Sequence, residues 1–185
     1  MSSLVASTAC VPRCRAAFLT AAMLLAGCSP TFNWRDLRPV NTPLQALMPC
    51  KPDTAERSLA LAGSPTTLHM HSCETGGMTF AVAWAELPQE SHSMAALEAW
   101  RSGTLTALRA DAAQATGGTA NPEINVPGAS HAVSTQASGK DPRGEPVQVQ
   151  AVYFARGRQV YQAAVYGPRL QPAVLTTFFE GLRLP

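Results

Sequence analysis

The chain has 185 residues, of which 46% are hydrophobic and 14% charged, with 14 basic and 12 acidic side chains and a formal net charge of +2. That length fits one domain plus a targeting segment or tail, and so little charge beside so much apolar content fits a small core and does not suggest disorder. Arg13 and Arg15 are the only charged residues among the first 27, so the rest of the chain balances 12 basic against 12 acidic residues. A balanced body lacks the basic face that nucleic acid requires, and no nucleic-acid partner is expected. No internal repeat or low-complexity tract is visible.

Arg13 and Arg15 precede an apolar run from Ala16 to Leu25, which ends in small residues. This is the layout of a secretory signal. The run has about half of the roughly 20 residues that a spanning helix needs, so a permanent transmembrane helix is not expected. Leu25-Ala26-Gly27-Cys28 resembles the bacterial lipobox, Leu-(Ala/Ser)-(Gly/Ala)-Cys. The resemblance implies that the Cys28 thiol receives a diacylglyceryl group. It also implies that residues 1–27 are removed as a signal peptide and that the new amino group is acylated. Each buried CH₂ contributes about 0.8 kcal/mol, so one chain holds marginally and two or three hold stably. An ordinary signal peptide with a chance cysteine is the alternative. Ser29 in place of Asp points, by the same resemblance, to the outer membrane, facing the periplasm. The expected partners are membrane lipid, through Cys28, and a protein of the envelope.

Cys10 and Cys14 fall in the removed segment, leaving Cys28, Cys50 and Cys73. With Cys28 acylated, Cys50 and Cys73 are the natural disulfide pair in an oxidising compartment. Closing a loop of roughly 20 residues contributes about 3 kcal/mol. Two separate buried thiols are the alternative. No Cys-x-x-Cys motif supports a redox activity.

From Ser29 to Pro43 the chain reads as a tether, because Pro30, Pro39 and Pro43 oppose regular structure. Phe32 and Trp34 are unusual in a spacer. They either rest at the lipid interface or dock on the domain as a strap. A single globular domain is expected over 44–185. Strands are predicted at 44–49, 56–61, 66–74 and 78–87, the last with Phe80, Val82 and Trp84 on one face and Ala81, Ala83 and Ala85 on the other. Apolar residues on both faces indicate a central strand. A long helix follows, capped by Ser91 or Ser93 and running to about Ala113, with Met94, Leu97, Leu105, Leu108 and Ala112 on one side. Arg101 projects toward that side and either snorkels, pairs with an acid or serves a function. Gly117-Gly118 terminates the helix and opens none, so it is no phosphate cradle.

Three more strands are predicted, at 129–137, 146–155 and 158–166, with a tight hairpin at Arg156-Gly157-Arg158. A short helix closes the chain, with Pro172 at its first position, Gly181 at its C′ position, and Val174, Leu175, Phe178 and Leu182 as its stripe. Hairpin-length connections give an α+β class: a mainly antiparallel sheet of about six or seven strands carrying one long and one short helix. The order, with "LMPCKP", "FAVAWAEL" and the ending "VYFARGRQVYQAAVYG…FFEGLRL", resembles the Mog1/PsbP-like fold and its DcrB-type lipoproteins. This resemblance implies an α/β/α sandwich. It carries over no activity or catalytic residue, because that superfold hosts unrelated roles.

In "LHMHSC", His69, His71 and Cys73 fall on one face of a strand. His-x-His suits Zn²⁺ or Cu²⁺, and Cys73 could complete the site only if it is not in a disulfide. The other reading has both histidines half-exposed beside a disulfide. Ser130 and His131 are neighbours that point to opposite faces, so they form no nucleophile–base pair. No Gly-x-Ser-x-Gly elbow, His-Glu-x-x-His helix, Walker loop or dinucleotide fingerprint occurs. No catalytic residue and no cofactor is expected. Arg156 and Arg158 either meet anionic lipid or lie in a solvated turn. The expectation is a lipid-anchored envelope protein with a non-catalytic binding or assembly domain. The alternative is a metal-binding lipoprotein using His69 and His71.

Overall fold

The structure is a computed structural model that describes residues 30–61, 63–111, 113, 115–116 and 124–185. Cys28, Ala112, Gly117 and Gly118 lie outside the described residues. Ten elements follow in order: β1 Arg35–Leu37, β2 Ala46–Met48, β3 Asp53–Leu61, β4 Ser64–Thr75, β5 Met78–Glu86, α1 Ser93–Ala107, β6 His131–Lys140, β7 Pro146–Arg156, β8 Gln159–Gly167 and α2 Pro172–Glu180. A 3-10 turn at Glu90–His92 leads into α1. Among the described residues, no helix is long and apolar enough to cross a membrane.

β3 to β8 form one antiparallel sheet in the order β3-β4-β5-β8-β7-β6, and β1 pairs with β2 in a separate two-stranded sheet. β5 and β8 take the centre because alternate residues on both of their faces are apolar. One face carries Phe80, Val82, Trp84, Val152, Phe154, Tyr161, Ala163 and Val165, and α2 covers it through Leu175, Phe178 and Phe179. The other face is rich in alanine, with Ala85, Ala151, Ala155 and Ala164 around Tyr153 and Val160, and α1 covers it through Ala96, Leu97, Leu105 and Leu108. Small side chains on the sheet let α1 pack closely. The class is therefore α+β, with a helix layer on each side of an antiparallel sheet.

Four local expectations need correction. The stretch read as a proline-broken tether contains β1, registered as Arg35 opposite Met48 and Leu37 opposite Ala46. Pro30, Pro39 and Pro43 bracket β1 and lie outside it, so they limit its length without preventing it. The long helix stops at Ala107, short of Ala113. Arg109 takes a left-handed φ of 50°, and the Ala110 amide turns back to the Leu105 carbonyl at 2.9 Å, which closes the helix as a glycine usually does. Neither Ser91 nor Ser93 caps it: His92 holds the N-cap position with no side-chain hydrogen bond. Gly181 is the C-cap of α2 in right-handed geometry, φ −73°. Its lack of a side chain serves packing, since a Cβ there would stand 2.8 Å from Leu47 Cβ.

Candidate functional site

Three places gather the chemistry-bearing residues. The first is the "LHMHSC" strand. Alternation along β4 sets His69, His71 and Cys73 on the α2 side of the sheet, and register places His69 opposite both Glu56 on β3 and Trp84 on β5. Both imidazoles stack on the Trp84 indole, with centroids 5.3 Å away for His69 and 5.2 Å for His71. His69 Nδ1 meets Glu56 Oε1 at 3.0 Å. His71 Nδ1 is buried with no hydrogen-bond partner among the described residues, and burial holds its pKa below the ordinary 6.5. A shallow cleft of about 430 Å³ runs over these side chains, bounded by Val40 and Asn41.

Cys73 is bonded to Cys50, with their Cα atoms 6.0 Å apart. Its sulfur is therefore withdrawn from the His-x-His-x-Cys set, and the open choice between a disulfide and separate thiols resolves to the disulfide. Among the described residues, no group of three His, Cys, Asp or Glu side chains is placed to hold a metal ion.

The second place is a cleft of about 690 Å³ between α2 and the outer half of β6 and β7. That is a ligand-sized volume. Its floor is Gln136, Gln148 and Gln150, and Leu170, Leu175 and Phe179 supply an apolar wall. Gln136 and Gln150 are directly opposed across β6 and β7. Neither side chain has a partner among the described residues, whereas Gln148 Oε1 accepts the Leu170 amide at 3.2 Å. A carboxamide presents donors and an acceptor without charge. Asn125, Thr176 and Glu180 also line the cleft, so the arrangement suits a ligand rich in hydrogen-bonding groups. Sequence reasoning missed the site. The available signal was Gln148-Val149-Gln150, two polar residues alternating inside an apolar strand, whose partner Gln136 only register reveals.

The third place lies beneath α1. Gln162 Nε2 donates to Thr104 Oγ1 at 3.2 Å and to the Tyr153 hydroxyl at 3.3 Å, and burial raises the Tyr153 pKa. Arg101, on the same helix, pairs with Glu98 at 3.5 Å, which is the acid-paired reading of that residue. Arg101 Nε is buried with no hydrogen-bond partner among the described residues, and Thr104 and Gln162 line a cleft of about 420 Å³ beside α1. Three further sequence candidates are engaged within the fold. Ser130 Oγ donates to the Ala155 carbonyl at 2.9 Å. Arg158 pairs with Glu86, and Arg156 donates to the Pro185 carbonyl.

The aromatic pair of the leading segment docks on the domain. Phe32 and Trp34 stack at 6.3 Å between centroids and pack half-buried against the α2-side core. Cys28 lies outside the described residues, three residues before Thr31. No protein family, characterised protein or solved structure matches the chain.

Proposed function

We propose that this is a lipid-anchored protein of the bacterial cell envelope whose domain binds a ligand or partner without performing chemistry. The observation that carries the reading is Leu25-Ala26-Gly27-Cys28, a thiol behind small residues at the end of a short apolar run that two arginines precede. The Cys50–Cys73 disulfide supports an oxidising, exported location. The glutamine-floored cleft supports binding, since the Gln136 and Gln150 amides can orient a ligand. The likeness to the Mog1/PsbP-like group belongs to the same proposal, and a sheet with one helix on each face supports it. In this reading the acyl chains confine the domain to a membrane surface and raise its effective concentration near other envelope components.

The test is the mass and location of the mature protein. Residues 1–27 should be absent and Cys28 should carry added acyl mass. Cys28→Ser should leave the signal uncut and abolish lipid labelling. Unchanged maturation and unchanged sedimentation with the envelope in that variant would overturn the reading.

A further inference from the structure

We infer that the anchored protein stands on the membrane on one end of its sheet, the end formed by the β4–β5 turn, and does not hang from a long tether. The inference rests on the acylation of Cys28 proposed above. Three residue steps separate Cys28 from Thr31, and they reach at most about 11 Å. At Thr31 the chain joins the compact unit Thr31–Pro185 and is fixed there. The Thr31 carbonyl accepts a hydrogen bond from Thr75 Oγ1. The Asn33 amide donates to the Pro49 carbonyl at 2.7 Å, next to Cys50 and its bond to Cys73.

Phe32 lies against Gly76, which has φ +60°, and a Cβ on Gly76 would stand 2.6 Å from the Phe32 Cζ. Glycine at that turn both permits the backbone conformation and leaves the seat for the ring. From this seat the segment runs the length of the sheet to Asn41, whose carbonyl accepts Gln159 Nε2 at 3.0 Å. The chain therefore enters the domain at one defined end.

That end carries the exposed Lys51, Glu74 and Arg169 and the half-buried Thr75. It also carries the half-buried Phe32–Trp34 stack, and Trp is a residue favoured at the membrane–water boundary. A polar rim around an aromatic pair suits a lipid headgroup layer. The Arg156-Gly157-Arg158 hairpin is at the opposite end, since Arg156 is opposite Gln159 while Gly167 is opposite Gln148 and adjoins Gly77. Nine residues of β8 separate the two ends, about 27 Å. Leu170 and Pro172 line the glutamine cleft and flank Gln171, whose Nε2 reaches the Gly76 carbonyl at 3.5 Å. The cleft therefore begins beside the membrane-facing end, within reach of a ligand held at the lipid surface.

The test uses residues 28–185, which contain the whole compact unit. With Cys50 and Cys73 bonded, Cys28 is the only thiol, and it is coupled to a maleimide phospholipid in nanodiscs carrying gadolinium-chelating headgroups. Loss of backbone amide signal then reports closeness to the lipid surface. The expected loss at Gly76 and Gly77 exceeds that at Gly157 and Gly63 by at least roughly threefold, given ends about 27 Å apart. Phe32→Ala combined with Gly76→Val should release the segment and shrink that contrast, with the fold of the variant checked from its spectrum without gadolinium. Uniform loss in the unaltered protein, or greater loss at Gly157, would overturn the pose. Because the lipid is attached chemically, that result is independent of natural acylation, which the mass measurement decides.

Discussion

His71 illustrates how one residue's surroundings set its chemistry. Its ring is stacked on Trp84 and its Nδ1 is buried with no partner among the described residues, so desolvation disfavours the imidazolium. The folded-state pKa lies below the unfolded value of 6.5. As pH falls through about 6.5, the unfolded chain binds the proton first, and stability is lost until pH passes below the folded value; above about 6.5 the contribution is fully present. Thermal unfolding of His71→Gln between about pH 7.5 and 5 should therefore show a smaller fall in Tm than the unaltered protein. The His69–Glu56 pair is common to both proteins and cancels in the comparison. Equal slopes would remove His71 as the source. His69 and His71 were legible as neighbours on one strand face. Their seating on Trp84 was not, because a cross-strand contact depends on register with a strand that begins five residues after Cys73.

At the scale of elements, the leading segment meets the β4–β5 hairpin at the Thr31–Thr75 hydrogen bond and at Phe32 on Gly76, and the disulfide ties the chain just after β2 to β4. The disulfide closes a separation of 23 residues. Replacing both cysteines by serine should cost about 3 kcal/mol, a fall in Tm of roughly 6–12 °C for a domain of this size. Calorimetry of the double variant against the oxidised protein measures it, and a change below about 2 °C would show that the loop is already ordered without the bond. The strands β5 to β8 were legible to within two residues at most ends, because their alternation is strong and turn residues bound them. β1 and the true end of α1 were not. β1 is three residues long and exists through its pairing with β2. The end of α1 is set by Arg109 entering left-handed geometry, with the Leu108 carbonyl then taken by the Lys140 amide at 2.7 Å. A contact from β6, more than thirty residues on, thus holds the helix end in place.

For the whole molecule, the sheet divides the interior into two cores. Phe178 is fully buried in the core under α2, and Leu97 is fully buried in the core under α1. Phe178→Ala should cost about 3–5 kcal/mol and Leu97→Ala about 2–5 kcal/mol. Because the sheet separates the two sites, the double variant should lose the sum of the two to within about 0.5 kcal/mol in chemical denaturation. A shortfall of more than about 1 kcal/mol would show that the cores are coupled through the sheet.

The amino-acid sequence by itself determined the class of this protein, its central strands and the face shared by His69, His71 and Cys73, and it narrowed Cys50 and Cys73 to a disulfide or two separate thiols. Those features follow from alternation and local turn chemistry, which act over a few residues. The tertiary structure alone decided that Phe32 and Trp34 form a docked strap, that Gly181 serves Leu47, and that Gln136 and Gln150 meet to floor a cleft. Each of these depends on atoms brought together from distant parts of the chain. The physical reason is the same throughout: register and helix docking fix such contacts, and no local pattern encodes the register between two strands and the helix laid across them.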